Sequence, residues 1–531
     1  MVAQLTLALI LLYLHSIRKM MQLDSYELRR SESSNHLPRH PIDPRHSGKN
    51  DAGDLGPKYP ELLLRVSRSS NTGQSDNTML RCPHTRKPNV TLGTDWQRQD
   101  YHSGTIHIYS AVYDSRTTAW RRPDSGTIRV LVLASGLLQG HATAVYCQVW
   151  FAEVSEPVVV RADLIELDAD VGQLRIGHQV YVQYVISCLL HQPAATDVEA
   201  VSVVVRDRCG SASALVPVYH HTAATPETTG IGICAVLAWP VSAESSRVLP
   251  LQSAPWLVEW MELQFSVFGA SRVFLYVAFD DDLRPLKRLI RLYVADDRKS
   301  LVVRRIPHPV AAGGKRRRRE VIGNLRALAV NDCLLRGASQ FRYLIDVDID
   351  ELVVPRHVAQ NYSGMIARIA SNAAEKRPQF YTPAIYFFRV LSFHVDAPTD
   401  DPQSSRLTTT GCFRSRDRPE KATRRAMIDS SRCVVVSPST GCDVTAMADA
   451  AAPVKDSWVD VPLNVAGCHR YRRACAASPD VGCETASGHL PIKDNTMLRF
   501  QPRLKLSVIQ ALKDSGTLDK AGLYYVALND V

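Results

Sequence analysis

The sequence predicts an α/β domain with a mixed, mostly parallel sheet, preceded by a mainly β accessory domain. Two regions with different residue patterns, and acidic residues at the ends of two predicted strands, support this prediction. Residues 96–229 contain short runs of β-branched and aromatic residues, and residues 230–531 begin with alternating strand-like and helix-like segments. Such alternation is typical of parallel strands joined by helices, and acidic residues follow two of these strands. The length of 531 residues allows two or three domains.

The N-terminal residues 1–21 predict a hydrophobic anchor or signal. Val2–Leu14 is uncharged, but as a helix it would rise only roughly 20 Å, less than the roughly 30 Å of a bilayer core. Arg18 and Lys19 follow the apolar run, whereas an anchor with a luminal catalytic domain prefers the reverse, and we expect residues to be missing upstream. Residues 22–95 are polar and proline-rich and predict a disordered stem.

Residues 96–229 predict strands and almost no helix, because each apolar run is short and ends at turn residues. The strand-like segments are TIHIYSAVYD, TIRVLVLAS, AVYCQVWF, PVVVRADLIEL, QVYVQYVISCLL and EAVSVVVRDRC.

Residues 230–350 alternate between strands and helices. The predicted strands are IGICAVLAWP, RVFLYVAF, SLVVRRIP and FRYLIDVDID, and the predicted helices are PWLVEWMELQFSVFGA and EVIGNLRALAVNDCLLRGA. In the first helix Trp256, Trp260, Leu263 and Val267 recur at helical spacing, and Gly269 marks its end. Ligands of a parallel sheet bind outside the carboxyl ends of the strands, where Asp280–Asp282 and Asp346–Asp350 lie.

The segment FRYLIDVDIDELVVPR places Asp346, Asp348 and Asp350 at every second position, on one face of the predicted strand. Carboxylates at this spacing repel each other by about 2–3 kcal/mol per pair. A pair of arginines or a hard divalent cation would offset this repulsion. Since the strand has no evident arginine partner nearby in the sequence, we expect a metal site that bridges the protein to a diphosphate.

Several segments together resemble glycosyltransferase family 92. YLIDVDIDELVVPR resembles the aspartate signature of the family, PWLVEWMELQFSVFGASRVFLYV its helix with a Glu-Trp pair, and NDCLLRG the segment ahead of the signature. HRYRRAC is similar to a His-Tyr-Arg motif, with Arg470 inserted between His469 and Tyr471. IYSAVYDSR and AVYCQV resemble the N-terminal β region of the family, so the resemblance covers about residues 100–510.

The resemblance implies a GT-A-type nucleotide-sugar-binding domain, a UDP-galactose donor, a glycan acceptor, inversion, and Mn²⁺ or Mg²⁺ as cofactor. It implies Asp348, Asp350 and His469 as metal ligands, with Glu351 as a further catalytic acid that orients them. Asp346, Asp348 and Arg472 are expected to contact the nucleotide sugar. The general base is expected among acids beyond the motif, such as Glu420 or Asp494.

The resemblance also implies a Golgi or other secretory-pathway membrane, with the catalytic domain in the lumen. Twelve dispersed cysteines without a CxxC pair, and sequons at Asn89 and Asn361, are compatible with that route. Buried free thiols in a cytosolic protein are the alternative.

Two other functions stay open at this point. The first is an inactive family member that binds glycans. The second is a nucleic-acid-binding protein, because the net charge is +10 and KRRRR occurs at residues 315–319. We expect no nucleic-acid partner, since this basic run has no interleaved aromatic residues. The absence of HExxH, Gly-x-Ser-x-Gly and Walker motifs argues against a phosphatase, a protease or a Ser-His-Asp hydrolase.

Overall fold

The computed structural model describes residues 80–515, with short gaps and nine longer ones. The longer gaps are 117–125, 221–229, 238–253, 278–286, 310–324, 396–412, 415–423, 444–457 and 474–491. Residues 66–531 belong to one compact unit. The predicted anchor, most of the predicted stem and the KRRRR run lie outside the described residues. The predicted domain boundary between residues 229 and 230 stays a prediction.

The first part of the described chain is a sheet of ten strands. They are β1 Leu80–Arg81, β2 Gln97–Tyr101, β3 Gly104–Asp114, β4 Gly126–Ser135, β5 Val145–Phe151, β6 Val158–Glu166, β7 Leu174–Ile176, β8 Gln179–Leu190, β9 Val198–Val205 and β10 Val216–Tyr219. The six segments predicted as strands from their β-branched composition all form strands here.

Seven of these strands close into a barrel. They pair in the order β6–β5–β9–β10–β3–β4–β8, and β8 pairs back with the second half of β6. The pairing of β10 with β3 is parallel, and the other pairings of the barrel are antiparallel. The Cys147–Cys188 disulfide links β5 to β8. Within the predicted stem, β1 pairs with β6 and Cys82 is bonded to Cys209.

The second part of the described chain contains the remaining strands and the helices. The strands are β11 Gly230–Val236, β12 Arg272–Val277, β13 Ser300–Arg305, β14 Phe341–Asp348, β15 Glu351–Pro355, β16 Ile385–Val395, β17 Phe413–Arg414, β18 Arg424–Asp429, β19 Val435–Ser437, β20 Gly441–Asp443, β21 Trp458–Asp460, β22 Ala466–Arg473 and β23 Ile492–Lys493. The helices are α1 Ala254–Glu262, α2 Lys287–Ala295, α3 Arg326–Gly337, α4 Tyr362–Lys376 and α5 Gln501–Asp514.

The second sheet has two halves of different character. Strands β13, β12, β11 and β14 are parallel to one another, as the alternating sequence predicts. Beyond β14 the neighbour β18 is antiparallel, and β18 pairs antiparallel with β16. Of the ten pairings recorded in this sheet, five are parallel and five antiparallel.

The predicted fold class is therefore wrong. The described chain is mostly β, with a closed barrel and a curled second sheet, and it is not a GT-A-type α/β domain with a mostly parallel sheet. The physical reason lies after Asp350. Strands alternate with helices in the sequence only up to that point, whereas the prediction extends the same arrangement over the rest of the domain. The later strands pair largely in antiparallel fashion and require no crossover helices.

The second sheet curls around the turn between β14 and β15. Strand β14 ends at Asp348, a turn follows, and β15 continues from Glu351. Strand β15 pairs with β22, β22 with β16, β16 with β18, and β18 with β14. This cycle of neighbours brings residues of β18 and β22 around the turn between β14 and β15.

Helices cover both faces of the second sheet. The first predicted helix forms α1 and a π-helical turn at Leu263–Val267, and Gly269 follows with a φ of +79°, which suits glycine. Helix α3 packs on the opposite face, where the Cys234–Cys333 disulfide links it to β11. Among the described helices, none is long and apolar enough to cross a membrane.

Candidate active site

The predicted aspartate strand is a strand and a turn. Asp346 and Asp348 lie in β14, Ile349 and Asp350 form the turn, and Glu351 begins β15. We call residues 346–351 the aspartate turn. Because Asp348 pairs in register with Val236 of the parallel strand β11, the turn lies at the carboxyl edge of the parallel half of the sheet. This is where a ligand of parallel strands is expected.

Arg326, the first residue of α3, neutralises the strand part of the aspartate turn. Its Nη2 donates to Oδ1 of Asp346 at 2.7 Å, and its Nη1 donates to Oδ2 at 3.0 Å. Its Nε lies 3.2 Å from Oδ1 of Asp348. The expectation that this strand has no arginine partner is therefore wrong, because α3 brings an arginine from 20 residues earlier.

Two further arginines surround the buried Glu351. Arg425 of β18 donates from Nη2 to Oε1 of Glu351 at 2.9 Å, and it also contacts Oε2 and the carboxylate of Asp348. Arg470 of β22 lies directly opposite Glu351 in the sheet and donates from Nε to Oε1 at 2.7 Å. Oε2 also accepts the backbone N–H of Asp348 at 3.0 Å. Both oxygens of Glu351 are thus occupied.

The electrostatic environment shifts the pKa values of the acids in the aspartate turn in different directions. Burial would raise the pKa of Glu351, but Arg425 and Arg470 outweigh it and hold this pKa at about 2. Burial, together with the charges of Glu351 and Asp348, raises the pKa of Asp350 to about 7. Burial also raises the pKa of Asp346, and Arg326 opposes that shift. Glu351 is consequently the acid that the protein itself neutralises best.

Two tryptophans of α1 hold the backbone of the aspartate turn. Nε1 of Trp260 donates to the carbonyl oxygen of Glu351 at 2.8 Å, and Nε1 of Trp256 lies 3.4 Å from the carbonyl oxygen of Ile349. Both indoles are buried. A rigid aromatic side chain that also donates a hydrogen bond fixes the path of a turn well. The helix with the Glu-Trp pair therefore supports the turn that carries the carboxylates.

The carboxylates fit a divalent cation. Asp348, Asp350 and Glu351 each offer an oxygen, and these oxygens lie within 4.8 Å of one another. Oδ1 of Asp348 is buried and accepts no hydrogen bond from the described residues. This oxygen is in an ion pair with Arg326 but has no hydrogen-bond donor among those residues, and together with a second carboxylate it forms a donor set that Mg²⁺ and Mn²⁺ prefer. Asp348 and Asp350 fit such an ion better than Glu351, whose oxygens are already hydrogen-bonded.

The comparison with protein families agrees with this placement. Residues 248–442 match the model of glycosyltransferase family 92. This matched segment is a family 92 glycosyltransferase domain. The resemblance seen in the sequence is confirmed over these residues, and the chain is assigned a glycosyltransferase function in this general sense. A search of curated proteins found no match.

The matched part of the family 92 domain includes α1, α3, the whole aspartate turn and β18. It therefore includes Arg326 and Arg425 as well as the acids that they contact. Strand β22, with His469 and Arg470, follows the match.

His469 does not join the carboxylates of the family 92 domain. Alternation along β22 directs Arg470 toward Glu351 and His469 to the other face. The His469 ring is buried, stacks on Phe393 at 4.2 Å, and its Nε2 lies 3.2 Å from Nη2 of Arg356. Its predicted role as a metal ligand stays a prediction that this placement does not support.

The remaining predicted site residues are less well placed. Arg472 lies in β22, and its side chain is outside the described part of the structure. Glu420 and Asp494, the candidate general bases, are also outside it. Their predicted roles stay predictions.

The sequence did not identify the arginines as site residues. Arg326 lies in a helical run, Arg425 lies in a basic stretch, and Arg470 is an insertion into the His-Tyr-Arg motif. The charge of the aspartates was the one signal in the sequence that pointed to these arginines, because three nearby carboxylates require positive charges beside them. Which arginines supply them depends on strand pairing that the sequence pattern did not reveal.

Proposed function

We propose that this chain is a metal-dependent hexosyltransferase that transfers galactose from UDP-galactose to a glycan acceptor with inversion. The observation that carries the proposal is the group formed by Asp348, Asp350 and Glu351 at the carboxyl edge of the parallel strands. This group lies inside the segment that matches the glycosyltransferase family model. The donor, the metal and the inversion rest on the family resemblance.

In this proposal the acids of the aspartate turn have different roles. Asp348 and Asp350 would hold Mn²⁺ or Mg²⁺, which neutralises charge on a departing diphosphate. Glu351 holds the backbone N–H of Asp348 and two arginines, so it orients the turn and does not need to bind the ion. Arg326 and Arg425 keep positive charge beside the carboxylates, and Asp346 anchors Arg326.

The reaction also needs a general base for the acceptor hydroxyl, because inversion proceeds through a single displacement at the anomeric carbon. We propose an Asp or Glu from the acceptor side for this role, with Glu420 and Asp494 as candidates.

We also propose a secretory-pathway location, with the catalytic domain in the lumen and the N-terminal segment in the membrane. The described chain contains the disulfides Cys82–Cys209, Cys147–Cys188 and Cys234–Cys333, which persist in oxidising compartments. Protease protection of sealed microsomes is the test, since digestion of the catalytic domain in intact vesicles would contradict a luminal location.

The experiment for the activity is a donor-hydrolysis screen with the full-length protein. UDP release is measured from UDP-galactose and from other UDP-sugars, in Mn²⁺, in Mg²⁺ and in EDTA. We expect release from UDP-galactose with metal, and its loss in EDTA and in Asp348→Asn. Full turnover in EDTA would reject the metal, and preference for another sugar would reject the donor.

One observation favours a second candidate function. The arginines already neutralise much of the aspartate turn without a metal, as in a structural charge network. An inactive family member that binds glycans would retain such a network. Absence of UDP release from every donor, combined with measurable glycan binding, would favour this candidate.

A further inference from the structure

A second candidate site lies in a groove between the barrel and the second sheet. The groove has a volume of about 360 Å³, and β3 and β10 of the barrel form one of its sides. Its lining includes Gln97, Tyr109, Pro217, Tyr219, Arg304 and Arg336. It lies away from the aspartate turn, because none of the residues of that turn lines it.

The groove carries an excess of positive charge. Arg304 and Arg336 share one carboxylate, the buried Asp332, from which their Nε atoms lie 3.0 Å away. Two guanidinium charges therefore face one negative charge, and among the described residues no acidic side chain lines the groove. In the described part of the chain, the Nη atoms of Arg336 have no hydrogen-bond acceptor, whereas the guanidinium group of Arg304 is hydrogen-bonded to Tyr109. The free donors of Arg336 can receive an anionic group.

The carboxylate of Asp332 also accepts hydrogen bonds from two hydroxyl groups. Its carboxylate accepts hydrogen bonds from Ser110 Oγ at 2.6 Å and from Tyr276 OH at 2.8 Å. These bonds fix the carboxylate, and the carboxylate in turn fixes Nε of both arginines. The two guanidinium groups are thus held in place before any ligand arrives, which lowers the entropy cost of binding.

An aromatic platform stands beside these charges. In β10 the alternate residues Pro217 and Tyr219 are exposed, while Val216 and Val218 are buried. Tyr219 is 39% exposed, a large fraction for an aromatic residue in a paired strand. The guanidinium group of Arg336 lies 4.5 Å from the centre of its ring. A flat ring with a cation over one face can pack its other face against a sugar ring while the cation pairs with an acidic substituent.

We infer that this groove binds an anionic glycan, a saccharide with a sulfate or carboxylate group, through Arg304, Arg336 and Tyr219. The choice of a saccharide rests on the proposed transferase function, and the anion requirement rests on the charges alone. The groove would then hold a charged part of an acceptor glycan at a distance from the reacting sugar.

The test measures binding of a fully sulfated heparin tetrasaccharide to the full-length protein, with neutral chitotetraose and inorganic sulfate as the other probes. Arg336→Gln and Tyr219→Ala are compared with Arg503→Gln, which removes the same charge from an exposed position on α5. We expect Kd for the sulfated tetrasaccharide to rise about tenfold in the two groove variants, the loss expected for one charge-assisted contact, and to stay unchanged in Arg503→Gln. Chitotetraose should bind much more weakly.

Several outcomes would overturn the inference. Equal binding by all variants would place the glycan elsewhere on this basic protein. Sulfate that competes fully with the tetrasaccharide, together with unchanged binding in Tyr219→Ala, would show an anion site without saccharide recognition. Tyr219→Ala leaves the Asp332 network intact and keeps the test valid if Arg336→Gln fails to fold.

The UDP-release screen separates this inference from the proposed transferase function. Groove binding without UDP release would reject the transferase proposal and support the groove. UDP release without groove binding would reject the groove alone.

Discussion

Arg326 holds the carboxylate of Asp346 in a bidentate ion pair, with hydrogen bonds of 2.7 and 3.0 Å. The pair is largely buried, since the side chain of Arg326 is 18% exposed and that of Asp346 13%. Four carboxylates of the aspartate turn face three guanidinium groups, and among the described residues the carboxylate of Asp350 pairs with none of them. The remaining negative charge is therefore concentrated where a cation fits.

Replacement of Asp348 by Asn separates the stabilising role of this residue from its proposed metal role. On the sequence alone, loss of a repelled charge should stabilise the metal-free protein. Because Asp348 contacts Arg326 and Arg425, we now expect Asp348→Asn to lower the free energy of unfolding by about 2 kcal/mol. We also expect it to abolish the thermal shift with Mn²⁺ and UDP. Differential scanning fluorimetry and urea unfolding measure the two effects.

Asp460→Asn is the matched control for this variant. Asp460 pairs with Arg424 at the surface, with side chains 58% and 44% exposed, so its loss should change stability by less than about 1 kcal/mol. An intact ligand shift in Asp348→Asn would remove Asp348 from the metal site. A stabilised metal-free Asp348→Asn would show that the ion pairs contribute less than the repulsion.

Trp260→Phe tests the support of the aspartate turn by α1. The change keeps an aromatic ring but removes the hydrogen bond of 2.8 Å to the carbonyl oxygen of Glu351, which leaves a buried acceptor unpaired. We expect a loss of about 1–3 kcal/mol in stability and a weaker Mn²⁺–UDP shift. Trp458→Phe, at a position 40% exposed, is the control and should leave both unchanged. Equal effects of the two variants would show that the indole of Trp260 only fills space.

His469→Gln distinguishes a packing role from metal binding. The ring stacks on Phe393 on the face of β22 opposite Glu351, so its replacement should destabilise the fold by about 1–3 kcal/mol. The change in melting temperature on addition of Mn²⁺ and UDP should keep its wild-type size. If His469→Gln kept its stability but lost the change in melting temperature with Mn²⁺ and UDP, the metal-ligand role expected from the family motif would be supported instead.

The pH dependence of stability should reveal the buried Asp332. Burial would raise its pKa, but Arg336 and Arg304 outweigh burial and lower it. Since the native pKa lies below the unfolded value of about 4, the ionised carboxylate stabilises the fold fully above pH 4. This contribution disappears as the pH falls through the native pKa. Asp332→Asn should therefore cost about 3 kcal/mol at pH 7 and progressively less below pH 4.

Urea unfolding of wild type and Asp332→Asn between pH 3 and 7 measures this difference directly. Asp460→Asn again serves as the control, and its small difference from wild type should not change across the same range. If the difference in unfolding free energy between wild type and Asp332→Asn stayed constant down to pH 3, packing of the carboxyl group and not its charge would stabilise this position.

The sequence alone determined the local features of the protein. Short runs of β-branched and aromatic residues predicted the strands that form the barrel, helical spacing of Trp256 and Trp260 predicted α1, and the aspartate motif indicated the family. These features depend on neighbours within about one turn or one strand, which a local pattern contains. The position of the aspartates after a parallel strand was predictable for the same reason.

Only the tertiary structure decided the pairing of distant segments. The closure of the barrel, the antiparallel half of the second sheet and the three arginines around the aspartate turn all arise from strand register and helix packing. Arg425 and Arg470 reach Glu351 from positions 74 and 119 residues later in the chain. Periodicity shows which face of a strand is apolar but not which strand lies beside it, and so it does not show which charges meet.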